Sequence, residues 1–185
     1  AGFVHVHTAF DYFNLAGVAA GIQRFERERI FLSSMTSPCI HAAPPKRNMT
    51  DPQKCYSLTI AEVESVLAKL SPTLDLLMLH GPSEAFGHVG GCSQLACDLA
   101  KAQWKAYNSF LSSGRVRAIG VSNFCQSCLT CLADNDLGPN GAAVLPAVNQ
   151  IQVHIGQGSA DPGDGLLSYC AQRQIAVQAY EPLAG

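Results

Sequence analysis

The chain has 185 residues, with 12 Lys and Arg against 14 Asp and Glu, a formal net charge of −2 and a pI near 6.3. That balance excludes the basic footprint of a nucleic-acid-binding domain, and the lack of any apolar run of about 18 residues excludes a membrane-spanning helix. Charged residues make up only 14%, against about 25% in ordinary soluble domains, which points to surface covered by other protein subunits or to a composition biased towards Ala, Gly and Cys.

In chain order, residues 3–6 form a short apolar run of strand length, and a helix is predicted over 15–25 with Asn14 as its N-cap. Residues 24–29 alternate Arg and Glu like a solvated helix end, and 30–34 form the next strand. A long loop is expected over 38–57, holding Pro44, Pro45 and Pro52. Thr59 then caps a helix to about residue 70, with Glu62 in the capping-box position. A strand over 74–79 precedes a glycine-rich, mobile segment over 83–91. The helix over 94–112 carries Leu95, Leu99, Trp104 and Phe110, and Gly114 ends it. A strand over 117–121, a helix over 126–134, a turn over 135–141 and a strand over 144–152 follow. A polar loop over 156–165, a helix over 165–173 and a strand over 175–179 complete the chain. Strands alternating with helices predict a parallel α/β sheet or barrel, in a single domain over 1–185.

Four blocks stand out along this framework: Gly2-Phe-Val-His-Val-His-Thr-Ala-Phe-Asp-Tyr12, Leu74-Asp-Leu-Leu-Met-Leu-His-Gly-Pro82, Gly114-Arg-Val-Arg-Ala-Ile-Gly-Val-Ser-Asn-Phe124 and Pro146-Ala-Val-Asn-Gln-Ile-Gln-Val-His154. With Val177-Gln-Ala-Tyr-Glu-Pro-Leu183 they closely resemble the aldo-keto reductases, (β/α)8 TIM-type barrels that reduce carbonyls with NADPH. The resemblance runs over nearly the whole chain in the family's order. It implies an incomplete barrel of strands two to seven, since 185 residues fall short of the roughly 250 typical of such a fold. The family's eighth unit, which grips the adenosine 2′-phosphate, lies outside the match. Residues 3–6 and 175–179 are then expected as open sheet edges, covered by further chain or by a partner.

Carbonyl reduction leaves charge on oxygen, and a proton donor must meet it at neutral pH; a free tyrosine, with pKa about 10, is a poor donor unless its neighbours tune it. The resemblance implies that Tyr12 is the family's tyrosine acid and His80 the histidine that orients the carbonyl. The tuning aspartate and lysine fall on His7 and Met35, and a thioether carries no charge. Asp11 sits beside Tyr12 as a candidate substitute for the carboxylate. Ser122, Asn123 and Gln150 match residues that hold the nicotinamide amide, and Tyr180 matches the ring that stacks on the nicotinamide. Glu181 stands where the family places a small hydroxyl residue beside the pyrophosphate, and its carboxylate would repel phosphates. NADPH is thus the cofactor implied, with a weakened grip. Two function classes follow. The first is a catalytically degenerate barrel acting as a structural or interaction subunit of a larger assembly; the alternative is an NADPH-dependent aldehyde or ketone reductase represented by a fragment.

Eight cysteines complete the inventory. Cys125, Cys128 and Cys131 are spaced along one helical face and are expected as small buried side chains rather than metal ligands. Cys39, Cys55, Cys92, Cys97 and Cys170 show no disulfide framework, and free thiols in this number imply an intracellular, reducing compartment. No secretory leader is visible. His5 is expected as a packed or outward-facing strand residue and His154 as a residue at the barrel mouth; His7, near Tyr12 and His80, raises a metal site only without a carboxylate to complete it.

Overall fold

The computed structural model describes residues 2–42, 46–83, 91–157 and 165–183. The expectations that fall on Pro44, Pro45, and most of 83–91 and 156–165 lie outside the described residues. The strands are β1 (His5–His7), β2 (Phe31–Thr36), β3 (Ile40–His41), β4 (Arg47–Asn48), β5 (Leu76–Leu79), β6 (Ile119–Ser122), β7 (Val148–Gln152) and β8 (Ala176–Tyr180). The α-helices are α1 (Leu15–Ile22), α2 (Pro52–Lys69), α3 (Gln94–Ser112), α4 (Gln126–Ala133) and α5 (Leu166–Gln172).

Six strands form one sheet in the order β1-β2-β5-β6-β7-β8, every pairing parallel. This is the α/β architecture of an incomplete (β/α)8 barrel. A short antiparallel pair, β3 and β4, lies apart from it. Both faces of a parallel sheet are covered, and all four residues of β5 are accordingly buried. Leu32, Leu77, Leu79, Val121 and Ile151 turn towards the helices and meet Val63, Val66, Trp104, Tyr107, Phe110 and Leu129 in the main core. Each fully buried side chain of this size contributes about 1.5–3 kcal/mol. Met35, Leu76 and Met78 turn inward and form a second, small cluster with Ala9. No described helix is long and apolar enough to cross a membrane.

At the opposite end of β5 from the site, Asp75 is 4% exposed and accepts hydrogen bonds from the Leu32 amide (2.8 Å), Arg27 (2.7 Å) and Arg117 (3.0 Å). Burial alone would raise its pKa, but these donors hold it below the ordinary carboxylate value. Asp75 therefore ties β2, β5 and the approach to β6 together at the base of the sheet.

Several elements depart from expectation for local reasons. Helix α2 starts seven residues before Thr59, because Asp51 caps it by accepting from the Lys54 amide at 2.9 Å and Pro52 occupies the first turn. Thr59 instead bonds back to the Cys55 carbonyl, and Glu62 is buried, paired with Arg47 and accepting from the Ser37 amide. Asn14 precedes α1, yet its side chain makes no cap and accepts from the Thr8 hydroxyl at 2.6 Å. Helix α3 runs from 94 to 112 as expected, followed by Gly114 at φ +73°.

The cysteines require a correction as well. Cys39–Cys55 and Cys97–Cys131 are disulfides, their Cα atoms 5.7 and 5.9 Å apart. Helix packing brings together partners whose spacing in sequence shows no framework, and the inference of a reducing compartment loses the free-thiol count on which it rested. Cys131 thus leaves the expected buried row, in which Cys125 and Cys128 remain. Hydrogen bonding from Cys128 lowers the Cys125 thiol to about 5.

Candidate active site

The C-terminal ends of parallel strands are where barrel enzymes place their chemistry, and the chain gathers its polar side chains there. In β1, the two-residue strand period points His5 and His7 the same way, and both rings hydrogen-bond to the Ser33 hydroxyl at 2.8 Å. A hydroxyl has one proton to give, so one ring donates to Ser33 while the other accepts from it. Nε2 of His7 is buried without a hydrogen-bond partner. Burial, and next the neighbouring His5 and His80, lower the His7 pKa to about 4, so the ring is neutral at pH 7.

Beyond β1, Ala9 leads into a 3-10 turn over Phe10–Tyr12, closed by Phe13 at φ 55°. This turn presents Asp11 and Tyr12 to His80, which follows β5. Nδ1 of His80 lies 2.8 and 3.0 Å from the two carboxylate oxygens of Asp11. The Tyr12 ring stands edge-on to the imidazole, with 5.5 Å between centroids. Burial, then the nearby Asp11 and Tyr180, push the Tyr12 phenol above its ordinary value.

Met35 stands apart from these groups. Its side chain is 0% exposed and packs with Ala9, Leu76 and Met78. An apolar contact therefore fills the position where the resemblance places an ammonium.

The far wall is a connected hydrogen-bond chain. Ser122 donates to the Gln150 carbonyl (2.9 Å), and the Asn123 side-chain amide donates to the His80 carbonyl (2.9 Å) and to the Ser122 hydroxyl (3.1 Å). Asn123 holds φ 59°, a conformation that asparagine tolerates better than most residues. The Tyr180 hydroxyl donates to Oδ1 of Asn123 at 2.9 Å, and Gln150 donates to Gln178 at 3.0 Å. Glu181, also at positive φ, accepts from Gln152 at 2.7 Å.

Of the eight residues matched to the family's catalytic and nicotinamide positions, seven, His7, Tyr12, His80, Ser122, Asn123, Gln150 and Tyr180, line one cleft of about 590 Å³; Met35 does not. His5, Gln178 and Glu181 line it too. Sequence reasoning missed His5 and Gln178 as site residues, although each lies two positions along a strand from a residue it had named. Among the described residues no group of three or more His, Cys, Asp or Glu is arranged to hold a metal.

A parallel α/β sheet of barrel type with a polar cleft at its C-terminal strand ends defines the class of protein. The chain belongs to the Aldo/keto reductase family, whose model matches residues 2–185. Among curated relatives it is 28% identical to a glyoxal reductase of Bacillus subtilis over 98% of this chain and 54% of the relative. It is 27% identical to an NAD/NADP-dependent indole-3-acetaldehyde reductase of Schizosaccharomyces pombe over 100% of this chain and 55% of that one. A solved aldo/keto reductase from Brucella melitensis superposes with a TM-score of 0.74 at 27% identity, covering 98% of this chain and 59% of that chain. The chain spans about half the length of the curated relatives it matches.

Proposed function

We propose that the chain carries the carbonyl-reducing site of a nicotinamide-dependent oxidoreductase acting on small aldehydes or ketones. The observation that carries this reading is the convergence of Tyr12, His80, Ser122, Asn123, Gln150 and Tyr180 on one cleft, in a family whose named relatives include a glyoxal reductase and an indole-3-acetaldehyde reductase. The cleft volume falls within the range that takes cofactor-sized ligands. Its amide and hydroxyl groups suit a carboxamide, the Tyr180 ring suits a flat heterocycle, and the unpartnered Nε2 of His7 offers a polar contact to a bound group. Ser122, Asn123 and Gln150 would hold the amide and Tyr180 would pack against the ring. When bound, the reduced nicotinamide supplies a hydride to the carbonyl carbon. Tyr12 and His80 face the position where the carbonyl oxygen gathers charge, and hydrogen bonds from them would stabilise it.

The second reading, a barrel kept for its shape within an assembly, is favoured by the sealed, uncharged Met35 and by Glu181 on the cleft wall. Calorimetric titration with NADPH separates the two. Saturable micromolar binding that Asn123→Ala weakens supports the oxidoreductase, whereas no heat of binding from a folded protein would leave only the second reading.

A further inference from the structure

The row of Cys125, Cys128 and Cys131 takes no part in the cleft, and the fold sets a further cysteine beside it. Cys131 is bonded to Cys97, which ties α4 to the first turn of α3. Cys125 is the N-cap of α4, and Cys92 lies directly before Ser93, the N-cap of α3. Gly91 turns the chain at φ +75°, and the Cys92 amide donates to the Ser127 hydroxyl at 3.0 Å. The same hydroxyl lies 3.1 Å from Sγ of Cys125. Cys128, one turn into α4, hydrogen-bonds through its thiol to both Cys125 and Cys92. Three thiols therefore meet where two helices begin, with Cys128 in the middle. They are not arranged to hold a metal, so the chemistry open to them is that of sulfur with sulfur.

Two of these sulfurs differ in the way that a dithiol pair requires. Hydrogen bonds from the Cys128 side chain, and then from the Ser127 hydroxyl and the amides of both residues, outweigh burial and lower Cys125 to about 5, so it is a thiolate at pH 7. Hydrogen bonding to Cys125 and Cys92, followed by burial, raises Cys128, which keeps its proton. A thiolate with a thiol in contact is a nucleophile with its resolving partner already in place. We infer that Cys125 and Cys128 form a redox-active dithiol at the start of α4, a modification site for small hydroperoxides. In the balanced sequence, Sγ of Cys125 attacks one peroxide oxygen and the O–O bond breaks, leaving a sulfenic acid and hydroxide. The hydroxide takes up the proton that Cys125 had given to solvent. Sγ of Cys128 then attacks Sγ of Cys125, the S–S bond forms as the S–O bond breaks, and the Cys128 proton leaves with the hydroxyl as water. Two thiols lose two electrons and one hydrogen peroxide becomes two waters. The oxidant must be small, since Cys125 is 7% and Cys128 1% exposed. Cys92 is the most exposed of the three.

The test treats the full-length protein with hydrogen peroxide at pH 6, stops the reaction with catalase, unfolds the protein in iodoacetamide and maps its peptides by mass. At that pH a thiol of ordinary pKa, about 8.5, is about 300-fold less ionised than Cys125, whose lower basicity takes back about 30-fold of the advantage. Cys125 and Cys128 should therefore lose alkylation together, about tenfold faster than Cys92, and appear as an internal disulfide. Cys128→Ser should stop the reaction at a sulfenic acid on Cys125, trapped by dimedone, and Cys125→Ser should leave Cys128 alkylatable. The wild-type map alone decides the matter if either variant fails to fold. Oxidation that begins at Cys92 would show that exposure governs these thiols and would overturn the inference. A Cys125 and Cys128 pair left alkylatable by excess peroxide in the folded protein would overturn it too.

Discussion

Restoring the charges that the family places at positions 7 and 35 gives the sharpest test of how this site has changed. In parallel register His7 lies opposite Ser33, and residues 33 and 35 face the same side of β2, so an ammonium at 35 would sit one inward step from a carboxylate at 7. Met35 is 0% exposed among Ala9, Leu76 and Met78. Met35→Lys alone therefore buries an uncompensated cation and is expected to cost about 3–5 kcal/mol, a large share of the about 5–15 kcal/mol that holds a domain together. His7→Asp alone places a carboxylate beside the Ser33 hydroxyl without a cation. The double variant pairs them, so its loss should fall short of the summed single losses by about 1–3 kcal/mol. In the same protein the paired cation should make Tyr12 a competent acid and raise the aldehyde reduction rate by about 100-fold or more. Urea unfolding of the four proteins gives the coupling energy, and NADPH-dependent reduction of 4-nitrobenzaldehyde gives the rate. Strictly additive destabilisation, with no gain in rate in a folded, NADPH-binding double variant, would refute the argument.

Three further outcomes are expected. His7 is neutral in the fold, with its pKa lowered to about 4 from 6.5, so the unfolded chain takes up a proton between those values and the native chain does not. Its contribution is complete above pH 6.5 and is lost by about 1.4 kcal/mol per pH unit as pH falls towards 4, up to about 3 kcal/mol; urea midpoints against pH should flatten in His7→Phe. Reducing the disulfides should lower the melting temperature, since closing a loop of the Cys39–Cys55 span, 16 residues in sequence, is worth about 3 kcal/mol in the chain-entropy account. Identical melting with and without dithiothreitol would count against either bond's contributing to stability. Glu181→Ser removes a carboxylate from the cleft wall and should tighten NADPH binding several-fold, with the gain fading at high salt as screening requires; a calorimetric titration at two ionic strengths decides it.

The parts of the molecule that depend on near neighbours were legible in the chain. The apolar runs ending at His80 and Ser122 announce parallel strands, and the polar residues that stop them line the cleft, as does Gln150 within the next strand. Helix α3 carries its own start and stop signals, a serine cap and a terminal glycine. Other features escaped because their partners are distant in sequence or their signals compete. The Asp11–His80 contact spans 69 positions, and the neighbouring sequence pointed Asp11 at Tyr12 rather than at the histidine. Cys97 meets Cys131 only after α3 and α4 have packed. Pro52 looked like loop punctuation when, directly behind Asp51, it marked the first turn of a helix. Met35 shows the converse case, since the replacement of a charged residue was visible in sequence and the apolar cluster that accommodates it was not.

Strand β8 pairs with β7 and packs on α5, and most of its length is exposed. Parts of a fold open locally at a fraction of the cost of unfolding the whole domain. Two cleft residues, Gln178 and Tyr180, ride on it and are latched by hydrogen bonds, Gln178 to Gln150 of the paired strand β7 and Tyr180 to Asn123. A molecule lodged in the cleft against both walls would act as a third latch. Amide hydrogen exchange along 176–180 would then slow in proportion to occupancy, making this edge a built-in gauge of ligand binding that needs neither turnover nor a label.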